Sequence, residues 1–218
     1  MPFFSTYGGA MITVIGNLKG GTGKSTVAFN LGLWLAVRER TVTMIDLDPQ
    51  ATLSEVLSIR QEEGHQPVLQ GHAALSALSD SQADETIIDV GPSALETMME
   101  AIRRADRVVI PVPPSQADVW STERFVGMID DACGRAKRRP TLHAFINRAD
   151  THQAVRESDE ASEALSMISQ IDVLTPRLAQ RMAFRRSFSE ALAAFELEPA
   201  GKAALELDSL ATLLYPSV

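Results

Sequence analysis

Cysteine is almost absent: Cys133 stands alone in 218 residues. One thiol closes no intramolecular disulfide and cannot build a cysteine-rich zinc or iron–sulfur site within the chain, so a reducing compartment suits it. The histidines His65, His72, His143 and His152 lack metal-ligand spacing such as HExxH and read as ordinary surface or core residues. Long apolar runs are missing too. No stretch reaches the ~18–20 residues of a membrane span. The opening MPFFSTYGGA has neither the basic start nor the apolar stretch of a signal peptide. Residues 1–10 read instead as a short disordered arm, a tag or an upstream start, with the domain over 11–218. Positive charge is in deficit: 20 Lys and Arg against 28 Asp and Glu leave −8. Such a chain is not built to coat nucleic acid with its whole surface, so any such contact needs a local basic patch.

Apolar material is plentiful, with 45% hydrophobic and 22% charged residues, enough for one compact domain of this length. Candidate strands are Ile12–Gly16, Thr41–Asp46, Thr86–Val90, Arg107–Val112, Leu142–Asn147 and Ile171–Leu174. Most are near-continuous apolar runs, the pattern of strands buried on both faces. Between them lie stretches long enough for crossover helices, such as Ser25–Arg38 and Ser115–Lys137. The alternation predicts an α/β fold: a single domain with a twisted, mostly parallel sheet and helices on both faces. The polar stretch Arg60–Ala83 reads as a surface excursion with one short helix at Ala73–Leu78. Ligands of open α/β sheets bind beyond the carboxyl ends of the strands, where Asp46, Asp48, Asp89 and Asn147 fall.

Residues Gly16–Thr26 read GNLKGGTGKST, between a strand and a helical stretch. Glycines let a backbone wrap closely round phosphate oxygens, successive N–H groups point inward, and the next helix offers its positive end. Lys24 can bridge β- and γ-phosphates, and the Ser25 hydroxyl can bind Mg²⁺. Mg²⁺–triphosphate also needs carboxylates. Asp89 ends the strand TIIDV, the Walker B position, and Asp46 and Asp48 end VTMIDLDPQ. Asp48 is the candidate for positioning the attacking water; Asp46 and Asp89 belong near the metal, directly or through its waters.

The loop KGGTGKST carries an extra lysine, Lys19, which makes it a deviant Walker A motif; the chain resembles the ParA/MinD ATPase superfamily. The resemblance extends through DLDPQ (46–50), IIDVGP (87–92), VIPVPPS (109–115), FINR (145–148) and TPRLAQRMAFRRSFS (175–189). It implies ATP and ADP as ligands with Mg²⁺, held by Lys19, Gly20, Gly21, Thr22, Gly23, Lys24, Ser25 and Thr26. It also implies a nucleotide-sandwich homodimer in which Lys19 of one subunit reaches the phosphates of the other. Asn147, Pro176 and Arg177 occupy places where the family contacts adenine.

Within that family, DPQ and the short length resemble the small ParA type, without a helix-turn-helix module. The resemblance implies a cytoplasmic, nucleoid-associated, weak ATPase that binds DNA nonspecifically as a dimer and positions a plasmid or a large protein assembly. Carboxysomes and chemotaxis clusters are among the family's cargoes, and a ParB-like adaptor stimulates hydrolysis. The candidate DNA patch is Arg177, Arg181, Arg185 and Arg186; a second cluster is Arg135, Lys137, Arg138 and Arg139. The tail AALELDSLATLLYPSV has no Lys or Arg after Lys202, so it reads as a helix packed on the sheet rather than a MinD-like membrane helix. A metabolic enzyme of the cobyrinate-amidation type and a non-hydrolysing nucleotide switch are the alternatives.

Overall fold

In the computed structural model, which describes residues 11–134, 138–152 and 156–218, neighbouring side chains of each central strand enter different cores. Val14, Ile45, Ile88 and Val108 pack to one side of the sheet. Ile15, Met44, Ile87 and Val109 pack to the other. A period of two with both faces covered demands an apolar residue at nearly every position, which is the pattern the sequence carries.

The strands are β1 (Met11–Ile15), β2 (Val42–Asp46), β3 (Gln70–His72), β4 (Glu85–Asp89), β5 (Arg107–Val112), β6 (Thr141–Ala149), β7 (Asp172–Val173) and β8 (Leu178–Ala179). They run in the order β3-β2-β4-β1-β5-β6-β7, with β8 beside the end of β6, and every pairing is parallel. The helices are α1 (Lys24–Ala36), α2 (Thr52–Glu62), α3 (Ala77–Asp80), α4 (Leu95–Arg104), α5 (Gln116–Cys133), α6 (Glu157–Ser166), α7 (Met182–Ser189), α8 (Ala194–Leu197) and α9 (Lys202–Leu214). Residues from α1, α2 and α9 fill one core, and residues from α4, α5 and α6 fill the other. The α/β architecture is the one the sequence predicts. The proposed arm at 1–10 lies outside the described residues.

Two expectations change. The stretch from Arg60 to Ala83 is not simply an excursion. It holds the end of α2, a buried Arg60, a buried Leu69 and the added edge strand β3. Its short helix starts later than predicted, at Ala77 rather than Ala73. The C-terminal helix packs on the sheet as expected. Leu207, Leu210, Ala211 and Leu214 are buried, and the Arg107 guanidinium donates to the Leu214 carbonyl while lying 4.4 Å from the Tyr215 ring centroid.

Candidate nucleotide site

The centre of the sheet is where β1 lies between β4 and β5, and the glycine loop leaves from the end of β1. Buried Asn17 starts the loop. Its side-chain amide donates to the Pro111 carbonyl at 3.0 Å, and its oxygen accepts the Lys19 N–H at 3.0 Å. Gly21 and Gly23 sit at φ +73° and +89°, where side-chain-bearing residues are strained. Gly23 also caps α1 without a side chain, and no acid occupies the first turn of that helix. The leading N–H groups of α1 therefore keep their positive field for an anion.

Lys24 is only 6% exposed, and its ammonium donates to the Lys19 carbonyl at 3.0 Å. Burial lowers its pKa, while the charges of Asp89 and Asp48 pull it back up. Asp89 is fully buried at the end of β4, and neither carboxylate oxygen has a hydrogen-bond partner in good geometry. Burial lifts its pKa to about 7; the Ser25 hydroxyl and the Lys24 cation oppose the rise, and Asp46 and Asp48 add to it. A buried cation beside a buried, unsatisfied carboxylate is unstable on its own terms, and an arriving phosphate and a divalent cation resolve both deficits.

Asp46 pairs in register with Asp89 across β2 and β4. Both its oxygens are already engaged, accepting the Asp48 N–H at 3.0 Å and the Ser54 N–H at 2.8 Å. It shapes the loop and the start of α2. Asp48 accepts the Gln50 N–H at 3.0 Å and faces the cavity. Its carboxylate rests against Gly91, where a Cβ would come within 2.5 Å of it. Lys19 is folded back onto its own chain: its ammonium is 3.1 Å from Asp118 Oδ1, at the start of α5.

Lys24, Ser25 and Asp48 open into a cavity of about 580 Å³, within the ~300–1,000 Å³ usual for small-molecule sites. The glycine loop forms one wall. Asn147 donates to the Thr22 carbonyl at 2.7 Å, and Arg148 donates to the Gly21 carbonyl. The far wall is Leu178–Arg181 with Phe184, Arg185 and Phe188. Pro176 and Arg177, expected beside adenine, do not line it. Arg177 turns to Asp159 of α6 at 2.6 Å, and β8 carries the next residues to the cavity instead. Asn30 braces that wall, donating to Ser187 at 3.0 Å and accepting the Ala194 N–H at 2.8 Å.

The family model of the CobQ/CobB/MinD/ParA nucleotide binding domain matches residues 13–193. The chain belongs to this family. Over 95% of its length it is 27% identical to "maintenance of carboxysome distribution protein A" of Halothiobacillus neapolitanus, covering 98% of that protein. Over 81% of its length it is 29% identical to protein ParA of Rhizobium radiobacter, covering 82% of it. Among solved structures, an ATP complex of a McdA variant from Cyanothece matches with a TM-score of 0.78 at 18% identity, over 95% of this chain and 96% of that one. The cell division ATPase MinD of Pyrococcus furiosus matches with a TM-score of 0.72 at 19% identity, over 96% and 100%. These two structural likenesses show the shared fold.

In this ParA/MinD-family domain the arginines predicted to face DNA are less free than their sequence suggests. Arg177 pairs with Asp159, Arg186 with Glu190 at 2.8 Å, and Arg181 holds Glu206 through two of its nitrogens. Glu206 also accepts the Ala179 N–H, so the Arg181 pair fastens α9 to β8. Arg185 makes no ion pair among the described residues and lines the cavity. In the second cluster Arg138 pairs with Asp106 and Arg139 with Asp130; Arg135 and Lys137 lie outside the described residues. The sequence reading missed Asn17, Arg148, Phe184 and Phe188. Each carried a signal: Asn17 lies in GNLKGGTGKST, Arg148 ends FINR, and Phe184 and Phe188 lie in TPRLAQRMAFRRSFS.

Proposed function

We propose that the chain is a ParA-type ATPase that dimerises on ATP, binds duplex DNA without sequence preference and positions a cargo through adaptor-stimulated hydrolysis. The carrying observation is the buried Lys24 cation in a glycine cradle beside the unsatisfied Asp89 carboxylate. Hard oxygen donors at Ser25 and Asp89 fit Mg²⁺. Among the described residues no group of three acids, histidines or cysteines is placed to hold a metal alone, so Ser25 and Asp89, with Asp46 directly or through water, would hold Mg²⁺ only together with a bound nucleotide. Bound Mg²⁺ supplies neutralisation of charge on the phosphates. Asp48, open to the cavity, orients the attacking water. Full-length similarity to a carboxysome-distribution protein and broad similarity to a ParA support the cargo-positioning role; in this proposal the chain acts in the cytoplasm, on the nucleoid, with a ParB-like adaptor.

Lys19 is the element that couples hydrolysis to pairing. While Asp118 holds it in cis it cannot serve a second subunit. Asp118→Asn is expected to raise the ATP-bound dimerisation constant about fivefold for each of the two pairs released, since a partly exposed ion pair contributes roughly 1 kcal/mol. Analytical ultracentrifugation with a non-hydrolysable analogue measures it; an unchanged dimer fraction removes the latch from the scheme.

The DNA surface draws on Arg177 and Arg186, whose exposed ion pairs are weak enough for phosphates to replace. Arg177→Glu with Arg186→Glu removes up to four contacts from a dimer and should flatten the log–log salt dependence of DNA binding by up to ~3.6. An unchanged slope moves the patch elsewhere. The deciding experiment for the whole reading is ATP turnover with and without nonspecific duplex DNA. Stimulation with ATP-dependent DNA retention supports it. Turnover blind to DNA, without retention, favours a metabolic enzyme of the cobyrinate-amidation type.

A further inference from the structure

Consecutive side chains of a β-strand point to opposite faces of the sheet. At the end of β6 they do not. Asn147 and Arg148 both turn to the glycine loop and donate to successive carbonyls, Thr22 and Gly21. The cause is local. Arg148 sits at φ +57°, in the left-handed region, and the pairing of β6 with β8 slips between Asn147 and Ala149. A bulge of this kind re-aims a side chain, and a bulky residue held left-handed at a site is a conformation the surroundings impose.

We infer that Arg148 is a positioning residue of the nucleotide site, one prong of an Asn147–Arg148 clamp that sets the direction of the loop's N–H groups. This rests on the nucleotide reading above. In a trans peptide the C=O and the following N–H point opposite ways. Holding the Gly21 carbonyl fixes the Thr22 N–H, and holding the Thr22 carbonyl fixes the Gly23 N–H. Gly21 and Gly23 would otherwise give this loop wide freedom, and ordering it would be charged against ligand affinity. The clamp supplies that order before the ligand arrives. Its fit is close: at Gly23 a Cβ would come 2.5 Å from the Asn147 amide nitrogen.

The test compares Arg148→Gly, Arg148→Asn and Arg148→Lys by titration with fluorescent mant-ADP and mant-ATP. Glycine and asparagine both tolerate the left-handed backbone, and neither reaches Gly21. Lysine keeps one donor on a long stem. The expected result is an affinity loss of about tenfold for Gly and Asn, equal for the two nucleotides, with KM for ATP rising in step. Lysine should return affinity to within threefold of the parent. Parent-like binding by both short variants overturns the inference. So does a loss confined to mant-ATP, which would place the guanidinium on the γ-phosphate, and so does failure of lysine to rescue. A parent chain that binds neither nucleotide overturns the nucleotide reading itself, and the clamp's role with it.

Discussion

Lys24→Ala is expected to weaken binding of a fluorescent ATP analogue by at least ~100-fold while leaving the chain folded. The ammonium is held 6% exposed by the loop, with one carbonyl as its hydrogen-bond partner. Its pairing with a phosphate chain replaces a poorly compensated buried cation by charge-assisted hydrogen bonds, each worth roughly 1.5–3 kcal/mol. Two such bonds correspond to a factor of a hundred or more. Alanine suits the first position of α1, so melting without nucleotide should show an intact fold. Arginine should not rescue. A planar fork of fixed donors does not reproduce a compact ammonium that meets both the Lys19 carbonyl and the phosphates. Retained tight binding by Lys24→Ala would remove the cradle from the proposed chemistry.

The parts of this molecule that were legible in sequence are those whose signal is local. Parallel strands announce themselves because Ile87 and Ile88 must satisfy two different cores at once. The glycine loop is legible because a phosphate cradle needs those residue types in that order. The edge strands β3 and β8 were not, since three and two residues carry no period and gain strand geometry only from their neighbours β2 and β6. Arg177 and Arg181 looked like free positive charge because Asp159 and Glu206 are far away in sequence. Lys19, expected to reach the phosphates of a second subunit, gave no sign in sequence of its own-chain partner Asp118, which lies on another helix. The register of Asp46 beside Asp89 was legible, whereas the two backbone N–H groups that Asp46 accepts come from loop geometry that the sequence does not display.

The hardest residue to read was Arg60, an arginine in a polar stretch that turns out to be 1% exposed. All five of its N–H donors are used. Nε donates to the Pro67 carbonyl at 2.8 Å. Nη1 donates to the Ala191 carbonyl and to Glu196 at 2.9 Å each. Nη2 donates to the Gln66 carbonyl at 2.6 Å and to Glu196 at 2.8 Å. The guanidinium thus ties the end of α2 to the α7–α8 connection. The start of α2 is tied to Asp46, and the α7–α8 connection backs the cavity wall through Asn30. Arg60→Ala strands a carboxylate and three carbonyls, a loss of about 3–5 kcal/mol for a broken buried pair. Against a total stability of roughly 5–15 kcal/mol, urea denaturation should show a large fall in midpoint. Replacing the ion pair outright, Arg60→Met with Glu196→Leu, removes the stranded charge but leaves the carbonyls of Gln66, Pro67 and Ala191 without donors. The double variant should therefore recover only part of the loss, since each orphaned carbonyl still costs about 1–3 kcal/mol. Full recovery would mean that the carbonyls find water and that the charge pair alone set the penalty. A loss below about 1 kcal/mol for Arg60→Ala would mean that the clasp opens to solvent and holds neither wall of the site.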